Sequence, residues 1–316
     1  MFDFRDYGNG IYAFDAGYIW PLLASVHMVV EAGRVALVDT GTNDTLANTL
    51  AALEKLGLGA DAVDYILLSH IHLDHAGGAG AMMQAFPQAR LVVHPRGARH
   101  MAEPSQLVAG VTQVYGADYV QKMYGEILPI APERIIAAKH ETVIDLAGRK
   151  LLCLDAPGHA RHHIAIIDEK AGAAFTGDLF GLSYRNMDVG DRQFLFPTTT
   201  PTQFDPEAMR RSVEMVMQQQ PTALYLTHYG QLRDPMRQKD ELFRRLDRFA
   251  AIAEAHRTET AERHTNIKAE LSCYLIDEAR TFGCTCPQRD LLDWWETDLE
   301  LDAQGLEVWL DGLPAK

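Results

Sequence analysis

A strand that ends in a run of histidines is the feature of this sequence that most restricts its fold. The apolar residues 66–68 are closely followed by three histidines and an aspartate, in the order His70-Ile-His72-Leu-Asp74-His75. Imidazole and carboxylate groups are seldom buried without a partner. Such a cluster at a strand end can bind a metal, form a catalytic pair or lie in a polar loop, and the rest of the sequence has to distinguish these uses.

Strand and helix signals alternate from the N-terminus to about residue 230, which predicts a layered α/β fold. Gly33 in "EAGR" is suited to the turn of a hairpin within residues 25–41. Further strands are predicted over 10–16, 62–69, 89–94, 141–159, 162–178 and 222–228, and helices over 42–59, 79–86 and 206–220.

Two segments depart from this alternation because their patterns are mostly helical. Residues 95–132 would be a long insertion between strands, and such excursions are often lids over a site. Residues 233–316 are helical and charged, and we interpret them as a C-terminal helical appendage to a main domain at residues 1–232. Trp294, Trp295 and Trp309 predict an amphipathic helix docked on that domain.

Composition excludes several classes of function. A hydrophobic content of 47% permits a sizeable core, whereas the net charge of −14 argues against nucleic-acid binding, which needs a basic face. The first ten residues lack the pattern of a signal peptide, and no apolar run is long enough to span a membrane. Four cysteines in 316 residues predict free thiols, and a reducing cytoplasm is the expected setting.

Three more residues of the ligand type follow apolar strands. They are His159 in "LDAPGHARHH", Asp178 in "AAFTGDLFG" and His228 in "LYLTHYG". Strand ends gather along one edge of a sheet, so these residues are expected to meet the histidine cluster there.

The spacing predicts two metal ions. Residues i and i+2 of an extended segment face the same way, so His70 and His72 can reach one cation, which His159 would complete. Asp74 and His75 lie beyond the turn and would bind a second cation together with His228, and Asp178 can bridge the two through its two oxygens. Nitrogen-rich sites of this kind suit zinc, with iron or manganese as alternatives, and few protein ligands per ion indicate a catalytic site.

This constellation resembles the metallo-β-lactamase superfamily, whose hallmark is HxHxDH. The resemblance spans roughly residues 10 to 230 and includes Asp39 of "LVDTG", which in the family supports the metal-binding loops. It implies an αββα sandwich with the metals at one edge and hydrolysis of esters, thioesters, lactams or phosphoesters, although a minority of members are iron oxidoreductases. His163 falls where many members carry a histidine behind the ligands, and plain packing is the alternative for it.

The expected mechanism is attack by a hydroxide that bridges the two metals on a carbonyl carbon of a small-molecule substrate, with Asp74 orienting the nucleophile and carrying a proton. Tyr184 and Tyr229 lie near ligands in sequence, and either hydroxyl could contact the substrate, although simple packing is the commoner fate of a tyrosine. Tyr119 in the predicted lid is a further candidate for substrate contact. A homodimer is left open.

The motifs look like the acyl-homoserine lactonases and glyoxalase II, but the specificity residues differ. Lactonases place a tyrosine three residues after the bridging aspartate, where this chain has Gly181, and "LFGLSYRNMDVG" does not match the glutathione-binding segment of glyoxalase II. Persulfide dioxygenases keep much of the motif and bind one iron, so a mononuclear iron oxidoreductase is the main alternative. A non-catalytic metal-binding protein is a more distant one.

Overall fold

The computed structural model describes residues 3–199 and 201–314. Within these residues the strands form two sheets that face each other, and helices cover the outer faces. This arrangement confirms the αββα sandwich and the predicted alternation of strand and helix.

The first sheet has seven strands among the described residues. In chain order, β1 to β7 are Phe4–Asp6, Ile11–Asp15, Ser25–Glu31, Arg34–Val38, Val63–Leu67, Arg90–Val93 and Ile135–Ala137. They lie side by side in that same order, antiparallel from β1 to β4 and parallel from β4 to β7. The predicted hairpin joins β3 to β4, and its turn residues Ala32 and Gly33 both have positive φ.

The second sheet has six strands in the part of the chain that is described. These strands, β8 to β13, are Thr142–Leu146, Arg149–Asp155, Ile164–Asp168, Ala173–Gly177, Ala223–Leu226 and Gly230–Leu232. Their order is β13-β12-β11-β10-β9-β8, and all neighbours are antiparallel except β11 and β12. The strands β1, β7 and β13 were not predicted, because three residues are too few to show a period.

The inner faces of the two sheets form one apolar layer. Val29, Ala36 and Leu67 of the first sheet share a buried cluster with Cys153 and Phe175 of the second. Burying a side chain of this size contributes roughly 1.5–3 kcal/mol relative to leaving it exposed. This layer fixes how the two sheets meet and therefore where their edges lie.

The described helices fall into three sets along the chain: those of the predicted insertion, those after β13, and those between the other strands. In chain order, α1 to α10 are Thr45–Lys55, Leu73–Ala76, Ala79–Ala85, Pro95–Ala102, Ser105–Tyr115, Ala117–Tyr124, Pro206–Gln218, Pro235–Ala255, Arg263–Phe282 and Gln288–Asp311. Short 3-10 segments occupy Ala60–Ala62, Pro132–Arg134 and Arg185–Met187. The helices α4, α5 and α6 lie between β6 and β7, so the predicted insertion is helical.

The C-terminal helices α8, α9 and α10 pack on the body of the protein. Trp295 of α10 is fully buried, and its ring lies 6.5 Å from that of Phe194 and 5.7 Å from that of Phe196. The buried aromatic residue on α10 agrees with the expectation of a docked amphipathic helix. The boundary between residues 232 and 233 stays a prediction, because the apolar core runs through both parts.

Two predictions from composition concern the cysteines and the membrane. All four cysteines are free thiols in the structure, as predicted. Among the described residues, no helix combines the length and the apolar character needed to cross a bilayer.

Candidate metal centre

The ends of five strands bring the predicted ligands to one edge of the sandwich. Asp39 follows β4, His70 follows β5 closely, and His159, Asp178 and His228 follow β9, β11 and β12. Because β9, β11 and β12 run in the same direction, their carboxyl ends share an edge of the second sheet. The seven predicted ligands fall into three overlapping groups whose ligand atoms lie within 4.8 Å of one another. We call these seven residues the ligand cluster: His70, His72, Asp74, His75, His159, Asp178 and His228.

Three imidazole nitrogens form the first group. His72 Nδ1 lies 2.9 Å from His70 Nε2 and 3.1 Å from His159 Nε2. Burial is the main cause of a lowered pKa for all three rings, and it brings the pKa of His72 to about 3. The rings are therefore neutral near pH 7, and neutral imidazole is the form that binds a metal.

The second group combines two histidines with a carboxylate. Asp74 Oδ2 lies 3.3 Å from His228 Nε2 and 3.5 Å from His75 Nε2. Burial opposes the charged form of Asp74, but the adjacent His75 and His228 hold its pKa below the ordinary range, so it stays a carboxylate. His228 Nδ1 is 2.9 Å from the carbonyl oxygen of Leu23, which accepts its proton and leaves Nε2 facing Asp74.

Asp178 lies between the two groups. Its Oδ2 is 3.3 Å from His75 Nε2 and 3.6 Å from His159 Nε2, while Oδ1 is buried and has no hydrogen-bond partner among the described residues. Burial lowers the pKa of His75, but Asp178 and Asp74 outweigh it and raise that pKa well above the ordinary value. The same negative charges favour a cation here, so an unpaired carboxylate oxygen and a nitrogen-rich donor set fit divalent metal binding.

Asp39 holds the second group from behind. Its carboxylate accepts from Ser69 N at 2.7 Å, Ser69 Oγ at 2.9 Å and Thr227 Oγ1 at 2.6 Å. It lies 3.0 Å from His75 Nδ1, which donates to it and leaves Nε2 directed at the ligand cluster. The geometry is that of the supporting role predicted for Asp39.

His163 also lies behind the ligand cluster. Its Nε2 accepts from the backbone N–H of Asp178 at 3.4 Å, and its ring lies 5.1 Å from that of His70. Gly177 allows this close packing, because it has φ of +50° and an added Cβ would lie 2.6 Å from Ser69 Cβ. The site loop of the first sheet can therefore approach the second sheet closely.

A cavity of about 470 Å³ opens over the ligand cluster and exposes His72, Asp74, Asp178 and His228. Its other walls are mainly apolar and aromatic. They come from the loop before β3, from the insertion and from α10, and include Tyr18, Trp20, Leu107, Val111, Tyr115, Tyr119, Tyr124, Tyr184, Asp298 and Leu301. The insertion thus borders the cavity, in the place expected of a lid.

The three tyrosines predicted to contact a substrate have different positions. Tyr119 and Tyr184 line the cavity. Tyr229 does not, because its hydroxyl donates to Asp3 and its ring is buried. The structure therefore does not bring Tyr229 to the cavity, since a partner near the N-terminus holds the side chain elsewhere.

Sequence reasoning missed Asp298. This carboxyl on α10 accepts a hydrogen bond of 2.9 Å from Tyr184 Oη at the cavity wall, and burial raises its pKa to about 7. No sequence signal singled it out, because it is one of several acidic residues in an amphipathic helix. His162 and His100 also line the cavity.

The match to protein-family models decides the family. Residues 19–228 match the metallo-beta-lactamase superfamily, and this segment contains the whole ligand cluster. The chain belongs to the metallo-β-lactamase superfamily. The resemblance inferred from HxHxDH is thereby confirmed.

Two relatives show how far the sequence similarity extends. The metallo-beta-lactamase fold-containing protein ST1585 of Sulfurisphaera tokodaii is 25% identical over 220 residues, covering 66% of this chain and 75% of its own. A hydroxyacylglutathione hydrolase of Xanthomonas campestris is 30% identical over 194 residues. That match covers 61% of this chain and only 55% of the hydrolase, so it leaves much of each protein unmatched.

Solved structures support the fold over a longer stretch. The metallo-beta-lactamase family protein TTHA1429 of Thermus thermophilus superposes with a TM-score of 0.67 at 21% identity, covering 97% of this chain and 94% of its own. The Sulfolobus tokodaii protein ST1585 gives 0.60 at 22% identity over 77% of this chain and 86% of its own. At such identities the likeness concerns the fold alone.

Proposed function

We propose that this protein is a metal-dependent hydrolase that cleaves an ester, lactone or thioester in a small molecule with an apolar portion. The observation that carries the proposal is the pair of three-residue ligand groups, linked by Asp178, at the floor of an aromatic cavity. Membership of a superfamily composed largely of hydrolases supports it, as does the similarity to hydroxyacylglutathione hydrolase.

The ligand cluster suits two divalent ions, and zinc is the metal we propose, with iron or manganese as alternatives. When bound, such ions lower the pKa of coordinated water to near 7 and polarise a carbonyl oxygen. His70, His72 and His159 would hold one ion, Asp74, His75 and His228 the other, and Asp178 both.

The remaining chemistry belongs to the side chains around the cluster. Asp74 is a carboxylate that faces the cavity, so its Oδ atoms can orient water and accept a proton. The Tyr184–Asp298 pair holds a proton at the cavity wall, where it can donate to a substrate oxygen. The aromatic walls exclude water and bind the apolar part of the substrate.

The cavity argues against simple transfer of a lactonase specificity. Gly181 has φ of +74°, and an added Cβ would lie 2.1 Å from the carbonyl oxygen of Phe196. A tyrosine therefore has no room at this position. Tyr184 reaches the cavity wall instead, tied to Asp298, and we expect the substrate preference to differ accordingly.

The test combines metal analysis with a substrate panel. Protein purified without added metal is analysed for zinc, iron and manganese, and then assayed on aryl esters, lactones, thioesters, β-lactams and phosphodiesters with and without chelator. We expect close to two equivalents of metal and chelator-sensitive turnover of esters, lactones or thioesters, with weak activity on S-lactoylglutathione. Arg90→Gln, an exposed substitution outside the cavity, serves as the control for general damage.

Two results would refute the proposal. Chelator-sensitive turnover confined to phosphodiesters would contradict the proposed preference for carbonyl substrates. One equivalent of iron, with oxygen consumption on a persulfide and no hydrolysis, would favour the mononuclear iron oxidoreductase over the hydrolase.

A further inference from the structure

A second depression lies beside the cavity and has a different character. Three arginines line it, Arg96, Arg99 and Arg161, in a protein whose net charge is −14. We call it the arginine pocket. Its volume is about 520 Å³, large enough for a carboxylate or phosphate group with part of its carrier.

The arginine pocket and the metal cavity share a wall. His100, His162 and Gln203 line both of them. The His162 ring lies 5.5 Å from the ring of His72, a member of the ligand cluster. A molecule that reaches the ligand cluster from this side therefore passes His162 and has the arginines at its outer end.

Helix packing and a backbone hydrogen bond hold the backbone of the three arginines in place. Arg96 and Arg99 are three residues apart on α4, so they lie on one face of the helix. Gly97 lets α4 lie directly on the metal-binding loop, because an added Cβ would be 2.8 Å from Ile71 Cγ2. Arg161 follows His159 closely, and its backbone N–H donates to Gln203 Oε1 at 2.7 Å.

Among the described residues, no carboxylate neutralises the positive charge of the arginine pocket. In residues 3–199 and 201–314, Arg96, Arg99 and Arg161 form no ion pair with a carboxylate, and all three side chains are exposed. The acids close to α4 are engaged elsewhere. Asp155 lies 3.3 Å from His94 Nε2, and Glu103 accepts from Ser105 at the start of the next helix.

We propose that the arginine pocket binds an anionic group, a carboxylate or a phosphate, of the same substrate whose ester or thioester carbonyl lies at the ligand cluster. This inference rests on the proposed function and narrows its substrate class to acidic acyl compounds. Guanidinium groups bind both anions through paired hydrogen bonds, and a concave site concentrates their field. His162 lines both sites and separates the arginines from the ligand cluster.

The test compares two esters of equal chain length. One is 4-nitrophenyl valerate, which is neutral, and the other is mono-4-nitrophenyl glutarate, which ends in a carboxylate. We expect the Arg96→Gln/Arg99→Gln variant to raise KM for the glutarate ester about tenfold or more, because hydrogen bonds to charged groups are among the strong ones. KM for the valerate ester should stay within about twofold, since a neutral tail gains nothing from the charges.

Two further variants keep the comparison specific. Arg161→Gln should raise KM for the anionic ester in the same direction. The matched control is Arg90→Gln, which removes one exposed positive charge away from both sites and should leave KM for both esters unchanged.

Sulfate should inhibit glutarate-ester hydrolysis competitively in the wild type and far less in the double variant. Equal effects on the two esters, or no effect on either, would overturn the inference.

A second measurement separates this inference from the proposed function. If the metal-loaded wild type turns over no ester, lactone or thioester of the panel, the proposed function has failed, and calorimetric titration with sulfate and with glutarate then tests the arginine pocket by itself. Binding to the wild type that is lost in the double variant supports an anion site. Absent binding, or equal binding to both proteins, overturns it.

Discussion

Asp39→Asn is the substitution that tests most directly how the second metal group is held. The carboxylate accepts from Ser69 through Oδ1, and from Ser69, Thr227 and His75 through Oδ2. An amide of the same size has only one accepting oxygen. If that oxygen takes the Oδ2 position, the amide NH2 faces the backbone N–H of Ser69, and a buried donor is left unpaired at a cost of about 1–3 kcal/mol.

In the other orientation the amide NH2 faces His75. The proton of His75 is then displaced from Nδ1 to Nε2, and the lone pair needed for the second metal is lost. Either way the Asp74, His75 and His228 group binds its metal more weakly. We expect a loss of affinity of roughly 10- to 100-fold, the range known for partners behind metal ligands, or about 1.4 to 2.7 kcal/mol.

The assay is competition between the protein and a chromophoric chelator, followed by elemental analysis of the protein fraction. One ion should be released much more readily from Asp39→Asn, while the ion held by His70, His72 and His159 is retained. Thr227→Val is the control, because it removes one hydrogen bond to Asp39 without forcing a change at His75. Unchanged resistance of both ions to the chelator in Asp39→Asn would refute the reasoning.

Three other predictions concern the bridge, the lid and the acid stability. Asp178→Asn should weaken both ions at once, since Oδ2 lies near ligands of both groups, and full metal content with full activity would contradict the bridging role. Tyr119→Phe and Tyr124→Phe should change the ranking of substrates but not the metal content, because both residues line the cavity and neither belongs to the ligand cluster. Loss of metal with an unchanged ranking of substrates would show that the insertion is a scaffold and not a lid. Burial lowers the pKa of His27 from 6.5 to about 4, so the neutral ring stabilises the fold above pH 6.5, and this stability is lost as the pH falls from 6.5 through 4. The difference corresponds to roughly 3 kcal/mol. His27→Phe should therefore lose less free energy of unfolding than the wild type between pH 7 and pH 4.5 in urea titrations. Equal losses in the two proteins would contradict the role given to His27.

The fold and the ligand cluster could be predicted from the sequence for a common reason. Strands and helices leave periodic patterns over short stretches, and His70, His72, Asp74 and His75 lie in one such stretch. The sheets then bring the later ligands to the same edge, because parallel strands end together. Local pattern and strand direction were therefore enough to expect both metal groups.

Other parts of the site depend on contacts between residues far apart in the sequence. Asp298 reaches the cavity only because α10 is docked on the body of the protein through Trp295. Tyr229, between β12 and β13 and next to His228, is hydrogen-bonded to Asp3 and does not line the cavity. Neither orientation follows from a periodic pattern, since each depends on which distant segment the side chain meets.

In the arginine pocket, too, the sequence accounts for one part and the tertiary structure for the other. The sequence determined that α4 carries Arg96 and Arg99 on one face and that Arg161 follows His159 of the ligand cluster. Only the tertiary structure decided that these residues surround one depression beside the ligand cluster, because the approach of α4 to Ile71 and of Gln203 to Arg161 brings them together. Sequence spacing fixes which residues share an element, whereas the packing between elements fixes which charges share a site.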